Sequence, residues 1–312
     1  MQAKRENGVY FTTNNPFKLR PFKAWARKIE LKNKKILEPF AGKNNIITML
    51  KEEDLCKSFC SYDIVPKNNQ VKVRDTIRDF PTGYNVCVSN PPWLANYSAK
   101  RRKIKFPDIG FENLYQYCLK LALDNCENVA YIVPGTYLRT NLFRDRLDTV
   151  IFVNSLMFND TENPACIALF TKQNKNNTKI YHDNKLIGSL DKLREIHYSM
   201  QQQSHVKNIS FNHPSGNLGL ICIDSTAGPT IRFCRGDEVA RSVKHSDRLI
   251  TKIGGNFTNL DRTILRLNKA LYRYRKNTHD VFLAPFKGLR RDGQYRRRLD
   301  YATARGIIER YA

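Results

Sequence analysis

The sequence predicts an α/β fold: one mixed sheet of seven strands, followed by a smaller C-terminal domain. Three observations predict it. Short apolar runs rich in β-branched residues alternate with helical patterns from residue 34 to residue 134, the signature of parallel strands joined by crossover helices. Two further strand-like runs follow with no helix between them, which suits an antiparallel pair at the end of the sheet. The periodic pattern then stops at the polar stretch KQNKNNTK (172–179), which divides the chain into 1–172 and 173–312.

The elements read in order as follows. Asn15 as N-cap with Pro16 at the first helical position starts a helix before the first strand. KKILEPF (34–40) is the first strand and NIITMLKEED (45–54) the helix after it. SFCSYDI (58–64), VKVRDT (71–76) and NVCVSN (85–90) are the next three strands. ENLYQYCLKLALDNC (112–126) is a helix with Leu114, Tyr117, Cys118, Leu121 and Ala122 on one face. NVAYIVP (128–134), VIFVNSLMF (150–158) and ACIALFTK (165–172) complete the sheet. Beyond the boundary, LGLICID (218–224) and TIRFCR (230–235) read as a hairpin around STAGP. TILRLNKALYRYRK (263–276) reads as a basic amphipathic helix, and FKGLRRDGQYRRRLDYATARG as a basic tail with interleaved aromatics.

Lys and Arg number 53 against 29 Asp and Glu, a net charge of +24 over 312 residues. In a chain that is 41% hydrophobic, and so able to build a core, this balance points to a polyanion partner, nucleic acid first. From Lys172 onward there are 27 basic and 12 acidic residues, against 26 and 17 before it, so the shorter part is the more basic. No apolar run approaches the roughly 18 residues of a membrane span. The start, MQAKRENGVYF, has no apolar core of a secretory signal, so a cytoplasmic protein without membrane association is expected. The eight cysteines form no Cys-x-x-Cys pair, which favours reduced, buried thiols and no metal site.

The chemistry concentrates at strand ends. Ser89-Asn90-Pro91-Pro92-Trp93 directly follows the apolar run NVCV, and α/β enzymes place ligands at the carboxyl ends of parallel strands. The two prolines hold the backbone extended and present Asn90 rigidly. The Asn90 side-chain oxygen and the Pro91 carbonyl become two convergent acceptors beside the flat face of Trp93, an arrangement suited to an exocyclic amino group on a stacked base. The first strand ends in Glu38-Pro39-Phe40-Ala41-Gly42, a small-residue turn that lets a ligand approach the backbone. Asp63 ends the second strand, where an acid can accept the hydroxyls of a ribose. Asp75, with Asp79 as its rival, ends the third, placed to accept from an adenine amino group.

In this order the motifs resemble those of the gamma class of S-adenosylmethionine-dependent DNA N6-adenine methyltransferases, of the type II restriction-modification or orphan kind. The resemblance covers about residues 7–172 and includes Gly8-Val9-Tyr10-Phe11-Thr12, Asn113-Leu114-Tyr115, Val133-Pro134-Gly135-Thr136 and Phe158. It implies a Rossmann-like methyltransferase domain and S-adenosyl-L-methionine as cofactor. Glu38 would then sit near the methionine part, Thr12 and Phe40 would line it, and Asp63 would take the ribose hydroxyls. Ile64 would pack the cofactor adenine and Asp75 would read its amino group. Asn90, Pro91, Pro92 and Trp93 would be catalytic, with Phe158 the second aromatic over a flipped-out base. The chain departs from the family pattern at Asn44, where a third small residue is usual, and at Thr13, where a proline is. Asparagine tolerates the left-handed geometry that such a position needs.

The C-terminal domain would recognise the target in duplex DNA. Lys100, Arg101, Arg102, Lys103 and Lys105 form a basic run after the Asn-Pro-Pro-Trp motif. Arg235, Arg241, Lys244, Arg248, Arg290, Arg291, Arg296, Arg297 and Arg298 supply cations further on. These are the candidates for phosphate and base contacts. A monomer is expected, associated with cellular DNA and with a cognate restriction endonuclease as its functional counterpart. Asn-Pro-Pro-aromatic also occurs in methyltransferases of RNA and of protein glutamine, and a binding protein that kept the fold without catalysis is a further alternative.

Overall fold

β1 (Lys35–Glu38) is the third strand from one edge of a nine-stranded sheet. The computed structural model describes residues 10–159, 161–173, 177–201, 208–239 and 248–312. The chain divides into two units, the first ending at Gly188 and the second running Ser189–Ala312.

In the first unit β2 (Ser58–Asp63) flanks β1 on one side, with β3 (Val71–Val73) outside it. β4 (Val86–Ser89) and then β5 (Asn128–Pro134) lie on the other side. All four neighbouring pairs are parallel. Between β5 and β6 (Leu147–Phe152) runs β7 (Ala165–Phe170), antiparallel to both. The pair is therefore antiparallel as the sequence suggests, but it does not end the sheet. β8 (Lys179–His182) adds to the open edge of β6 in parallel, and β9 (Lys185–Ser189) follows it. The expected boundary after residue 172 thus falls between two strands of one sheet, β7 and β8. The free N–H and C=O groups of an edge strand recruit even the short, poorly alternating KIYH run.

The central strands are buried on both faces, as parallel strands covered by helices must be. On one face α1 (Arg20–Lys28) supplies Phe22 and Trp25, and α2 (Asn45–Glu52) supplies Ile46, Ile47 and Leu50. They pack with Ile36, Val86, Val88 and Ile132. Between β4 and β5 come the short α3 (Asn96–Arg101) and then α4 (Leu114–Asn125), capped by Asn113 with Gln116. The buried side of α4 holds Tyr115, Cys118, Leu119 and Ala122, while Tyr117 and Leu121 are only half-buried. The apolar face is thus turned from the one the spacing suggests. The first helix also starts later than expected. The Asn15 side-chain oxygen accepts from Phe17 N at 3.0 Å, closing a local turn, and Pro21 takes the early helical position.

The second unit opens with α5 (Leu190–Gln201) and holds a four-stranded sheet. Its order is β10 (Ser210–Phe211), β13 (Ile250–Gly254), β11 (Leu218–Ile221), β12 (Arg232–Arg235). α6 (Leu260–Thr278) lies along it, with Leu267, Leu271 and Tyr274 in a core shared with Leu218, Leu220 and Phe233. A hairpin of β14 (Ala284–Leu289) and β15 (Tyr295–Arg298) and the helix α7 (Tyr301–Tyr311) complete the chain.

Candidate active site

In the first unit the chain leaves β1 toward β2 on one side and β4 toward β5 on the other. The crevice outside the carboxyl ends of β1 and β4 is therefore a topological switch point. Glu38 and Asn90 stand at this point. The turn after Glu38 is tight. Gly42 has φ +50°, and a Cβ there would lie 2.5 Å from Phe11 Cε1. Asn44 adopts the left-handed conformation expected of it, with φ 65°, and its side-chain oxygen accepts from Ser61 Oγ at 2.7 Å. Asp63 holds the same turn: Oδ2 accepts from Gly42 N and Oδ1 from Val65 N, each at 2.8 Å. Each carboxylate oxygen has further acceptor capacity.

A cavity of about 630 Å³ opens here. Phe40, Gly42, Asp63, Ile64, Asp75, Asn90, Pro91 and Pro92, all singled out in the sequence, line it. Ile64 is 64% exposed at this wall, a large apolar side chain that the fold itself leaves uncovered. Asp75 lies beyond the end of β3 rather than in it. Its Oδ1 accepts from Ile77 N at 3.2 Å, an Asx-turn. Asp79 is paired with Arg74 at 2.8 Å and does not line the cavity. Pro39 turns its carbonyl to Thr76 Oγ1 at 2.7 Å, tying the two loops together. Tyr10 and Phe11, from the motif that ends in Thr12, complete the wall with Thr76 and Ile77, and the sequence gives none of the four a role. The aromatic pair preceding Thr12 is their one signal in the sequence.

A smaller cavity of about 240 Å³ adjoins it, sharing Tyr10, Phe11, Phe40 and Asn90 and adding Thr12, Glu38 and Ala41. Three buried oxygens around it have no hydrogen-bond partner: Thr12 Oγ1, Glu38 Oε2 and Asn90 Oδ1. Buried polar atoms are normally satisfied, so three orphans at one place mark where a ligand's donors belong. Glu38 is 1% exposed. Burial pushes its carboxyl well above the ordinary value, nearby Asp63 adds to the shift, and the backbone of Ile47 opposes it. The other end of the Asn90 amide is held, since Nδ2 donates to the Tyr10 carbonyl at 2.7 Å. The Pro91 carbonyl has no donor among the described residues.

Trp93 is half-buried, and its indole N–H donates to the Ile132 carbonyl at 3.3 Å. Phe158 is 2% exposed and sits in the core, with its ring edge-on to Trp93 at 5.2 Å, and neither ring lines the two cavities. Tyr10 contacts both rings, at 5.8 and 5.7 Å. The cause is local. Thr12 bridges to Phe158 and Thr13 N donates to Met157 O, so the N-terminal segment is laced over the aromatic pair.

The basic candidates separate into groups. Lys100, Arg101, Arg102, Lys103 and Lys105 are all exposed, on and just after α3. Arg241 and Lys244 lie outside the described residues. In the second unit Arg291 and Arg248 are exposed, while Arg296 and Arg298 are half-buried. Arg235 is paired with Asp261 at 2.5 Å. Arg290 and Arg297 are internal. Asp224, 0% exposed, accepts from Arg275 through both oxygens at 3.0 and 2.8 Å and from Arg290 at 3.1 Å. It also accepts from the backbone N–H of Arg297. Burial pulls the Arg297 guanidinium below its ordinary value. A strand has a period of two, so alternate residues of the Arg296-Arg297-Arg298 run turn inward and outward.

No protein-family model matches the chain, and no curated protein does. Among solved structures it is similar to the M protein of the type I restriction enzyme EcoKI, at 14% identity over 55% of this chain and 48% of that one, with TM-score 0.38. It is similar to the methyltransferase subunit of a Streptococcus thermophilus type I restriction-modification system, at 16% identity over 60% and 52%, with TM-score 0.36. The type ISP restriction-modification enzyme LlaGI matches at 15% identity over 60% and 29%, with TM-score 0.41. The chain spans about half or less of the length of these three proteins. Among the described residues no group of His, Cys, Asp and Glu could hold a metal ion, and no helix is long and apolar enough to cross a membrane.

Proposed function

We propose that this chain is a DNA methyltransferase that moves the methyl group of S-adenosyl-L-methionine to N6 of an adenine extruded from duplex DNA. The first unit would carry the reaction and the second the target recognition. The observation that carries the proposal is Asn90: one end of its amide is anchored to Tyr10, and the other is a buried, unpartnered acceptor at a cavity at the switch point.

The residues present fit the cofactor. Glu38 Oε2 is an orphaned acceptor for its ammonium, Asp63 offers two oxygens to its ribose, and Ile64 is an uncovered apolar wall for its adenine. Gly42 leaves space that a side chain would fill. Asp75 is the acceptor for the adenine amino group. When bound, the cofactor supplies a methyl group already activated on a sulfonium.

The chain's own residues prepare the target. Asn90 Oδ1 and the Pro91 carbonyl accept the two N6 hydrogens. N6 then withdraws its electron pair from the ring and becomes nucleophilic. The prolines hold both acceptors in place, so little reorganisation is needed when the charge develops. Extruding the base costs a few kcal/mol. Stacking on Trp93, beside Tyr10, returns roughly 1–3 kcal/mol. The exposed cations from Lys100 to Lys105 are placed in sequence to meet phosphates near the same strand end.

The test is methylation of random duplex DNA with methyl-labelled cofactor, followed by mapping of the modified bases. Label should appear at adenine N6. Asn90→Ala should abolish transfer while cofactor and duplex binding persist. Label on RNA or protein alone, or an Asn90→Ala variant as active as the parent, overturns the proposal.

A further inference from the structure

We infer that the solvent face of α6 is the surface on which the phosphates of duplex DNA sit; the inference deepens the proposed function and rests on it. Arg262, Arg266, Lys269, Arg273 and Lys276 recur at intervals of four, three, four and three residues, so they form a single stripe along the helix. All five are exposed. None has an acidic partner among the described residues. The helix carries one acid, Asp261, and Arg235 already neutralises it at 2.5 Å. An ordinary solvated helix alternates signs at this spacing, whereas like charges four residues apart destabilise it. The stripe is therefore a strain that a polyanion relieves.

Its dimensions fit a duplex. From Arg262 to Lys276 the helix rises about 21 Å at 1.5 Å per residue. One DNA strand presents roughly six phosphates over that length, at about 3.4 Å each. The helix is also a rigid platform. Its inner face is core, and the Asn268 side chain both accepts from Phe233 N and donates to Phe233 O, pinning α6 to β12. Leu265 and Tyr272 flank the stripe at 72% and 65% exposure, two large apolar surfaces that the fold does not cover and that sugars or bases can. At the Tyr272–Lys276 end a groove of about 1070 Å³ adds Arg232. The tail arginines that composition brings forward contrast with this, because Arg290 and Arg297 spend their charge inside the unit.

The experiment replaces all five stripe cations with glutamine in the full chain. A control carries Lys18, Arg20, Arg27, Lys57 and Lys179 replaced likewise, five exposed cations of the first unit with the same loss of charge. Equilibrium binding to a labelled duplex is measured across a salt series, together with binding of S-adenosyl-L-methionine. The stripe variant should lose at least tenfold in duplex affinity, and its log–log salt slope should fall by about four, near 0.9 per lost phosphate contact. Cofactor binding should not change, and the control should bind duplex nearly as the parent does. A stripe variant that keeps the parent's slope, or that differs from the control by less than twofold, overturns the inference and leaves the methyltransferase proposal standing. A parent that binds single-stranded RNA more tightly than duplex, through the same stripe, overturns the choice of partner. Loss of cofactor binding by the parent itself would instead count against the proposed function.

Discussion

The Asn90 side-chain amide donates to the backbone carbonyl of Tyr10 at 2.7 Å, and this bond decides which end of the carboxamide is left for a ligand. A carbonyl can only accept, so the NH2 end must face Tyr10 and Oδ1 is the end without a partner. The catalytic asparagine of the proposal is thus oriented by main chain from a segment far away in sequence.

Asn90→Asp should show this orientation. A carboxylate would place an oxygen against the Tyr10 carbonyl oxygen, replacing a bond with a repulsion at a buried site. The expected cost is about 1–3 kcal/mol of stability, with methyl transfer lower by at least a hundredfold and cofactor affinity little changed. Thermal melts and a labelled-methyl assay on the same preparations check it. An active, equally stable Asp variant would show that the Tyr10 bond does not orient the site.

Glu38 makes the fold sensitive to pH in a stated direction. Its carboxyl is raised above the ordinary value of 4.5, so its stabilising contribution is fully present below that value and is lost as pH rises through the raised one. Glu38→Gln removes the ionisation. The melting temperature of the cofactor-free variant should change less than the parent's between mildly acidic and mildly alkaline buffer, and should exceed it at the alkaline end. Cofactor affinity should fall about tenfold or more, about 1.4 kcal/mol, because the partner of the ammonium is gone. Parent-like affinity in titration calorimetry would remove Glu38 from the cofactor site.

Much of this site is legible in the sequence because side-chain type and strand ends carry it. Glu38, Asp63 and Asn90 each follow an apolar run, and a run that ends in a polar residue is visible without coordinates. Tyr10 is different, since it acts on Asn90 through a backbone carbonyl and a carbonyl has no sequence signature. The short KIYH strand is hidden because its neighbour's open edge, not its own pattern, makes it a strand. Asp224 was equally hidden. It reads as the last residue of a hairpin strand, and only the fold brings Arg275 and Arg290 to it from 51 and 66 residues away. Arginine is the hardest type to place from sequence, since one side chain suits a phosphate and a buried carboxylate equally well.

Gly42→Ala probes the turn that shapes the cavity. At φ +50° a Cβ is strained, and it would meet Phe11 Cε1 at 2.5 Å. The Phe11 ring must then move, and Tyr10 with its carbonyl lies next to it in the chain. Destabilisation of about 1–3 kcal/mol is expected, with weaker cofactor binding and slower transfer together. Titration calorimetry and denaturant melts check it, and a variant that binds cofactor like the parent would mean the turn does not frame the site.

Asp224 and Arg290 should behave as a structural pair. Asp224 is fully buried and pairs with two guanidinium groups. Although burial pulls the Arg275 guanidinium down, its bonds to Asp280 and Asp224 hold it above its ordinary value. Removing Asp224 strands neither cation, because Arg275 keeps Asp280 and Arg290 keeps Asp292, each at 2.7 Å. Asp224→Ala leaves buried donors of both arginines unmet and should therefore lower the unfolding free energy of the second unit, read from a denaturant melt, by about 1–3 kcal/mol and expose it to proteolysis, while the first unit still binds cofactor. Arg290→Gln should also lose stability, by less, because Arg275 still meets Asp224. Its duplex affinity and salt slope, measured below the melting transition, should match the parent's. An Arg290→Gln variant of parental stability with weakened duplex binding would return Arg290 to the DNA surface, where its sequence context had placed it.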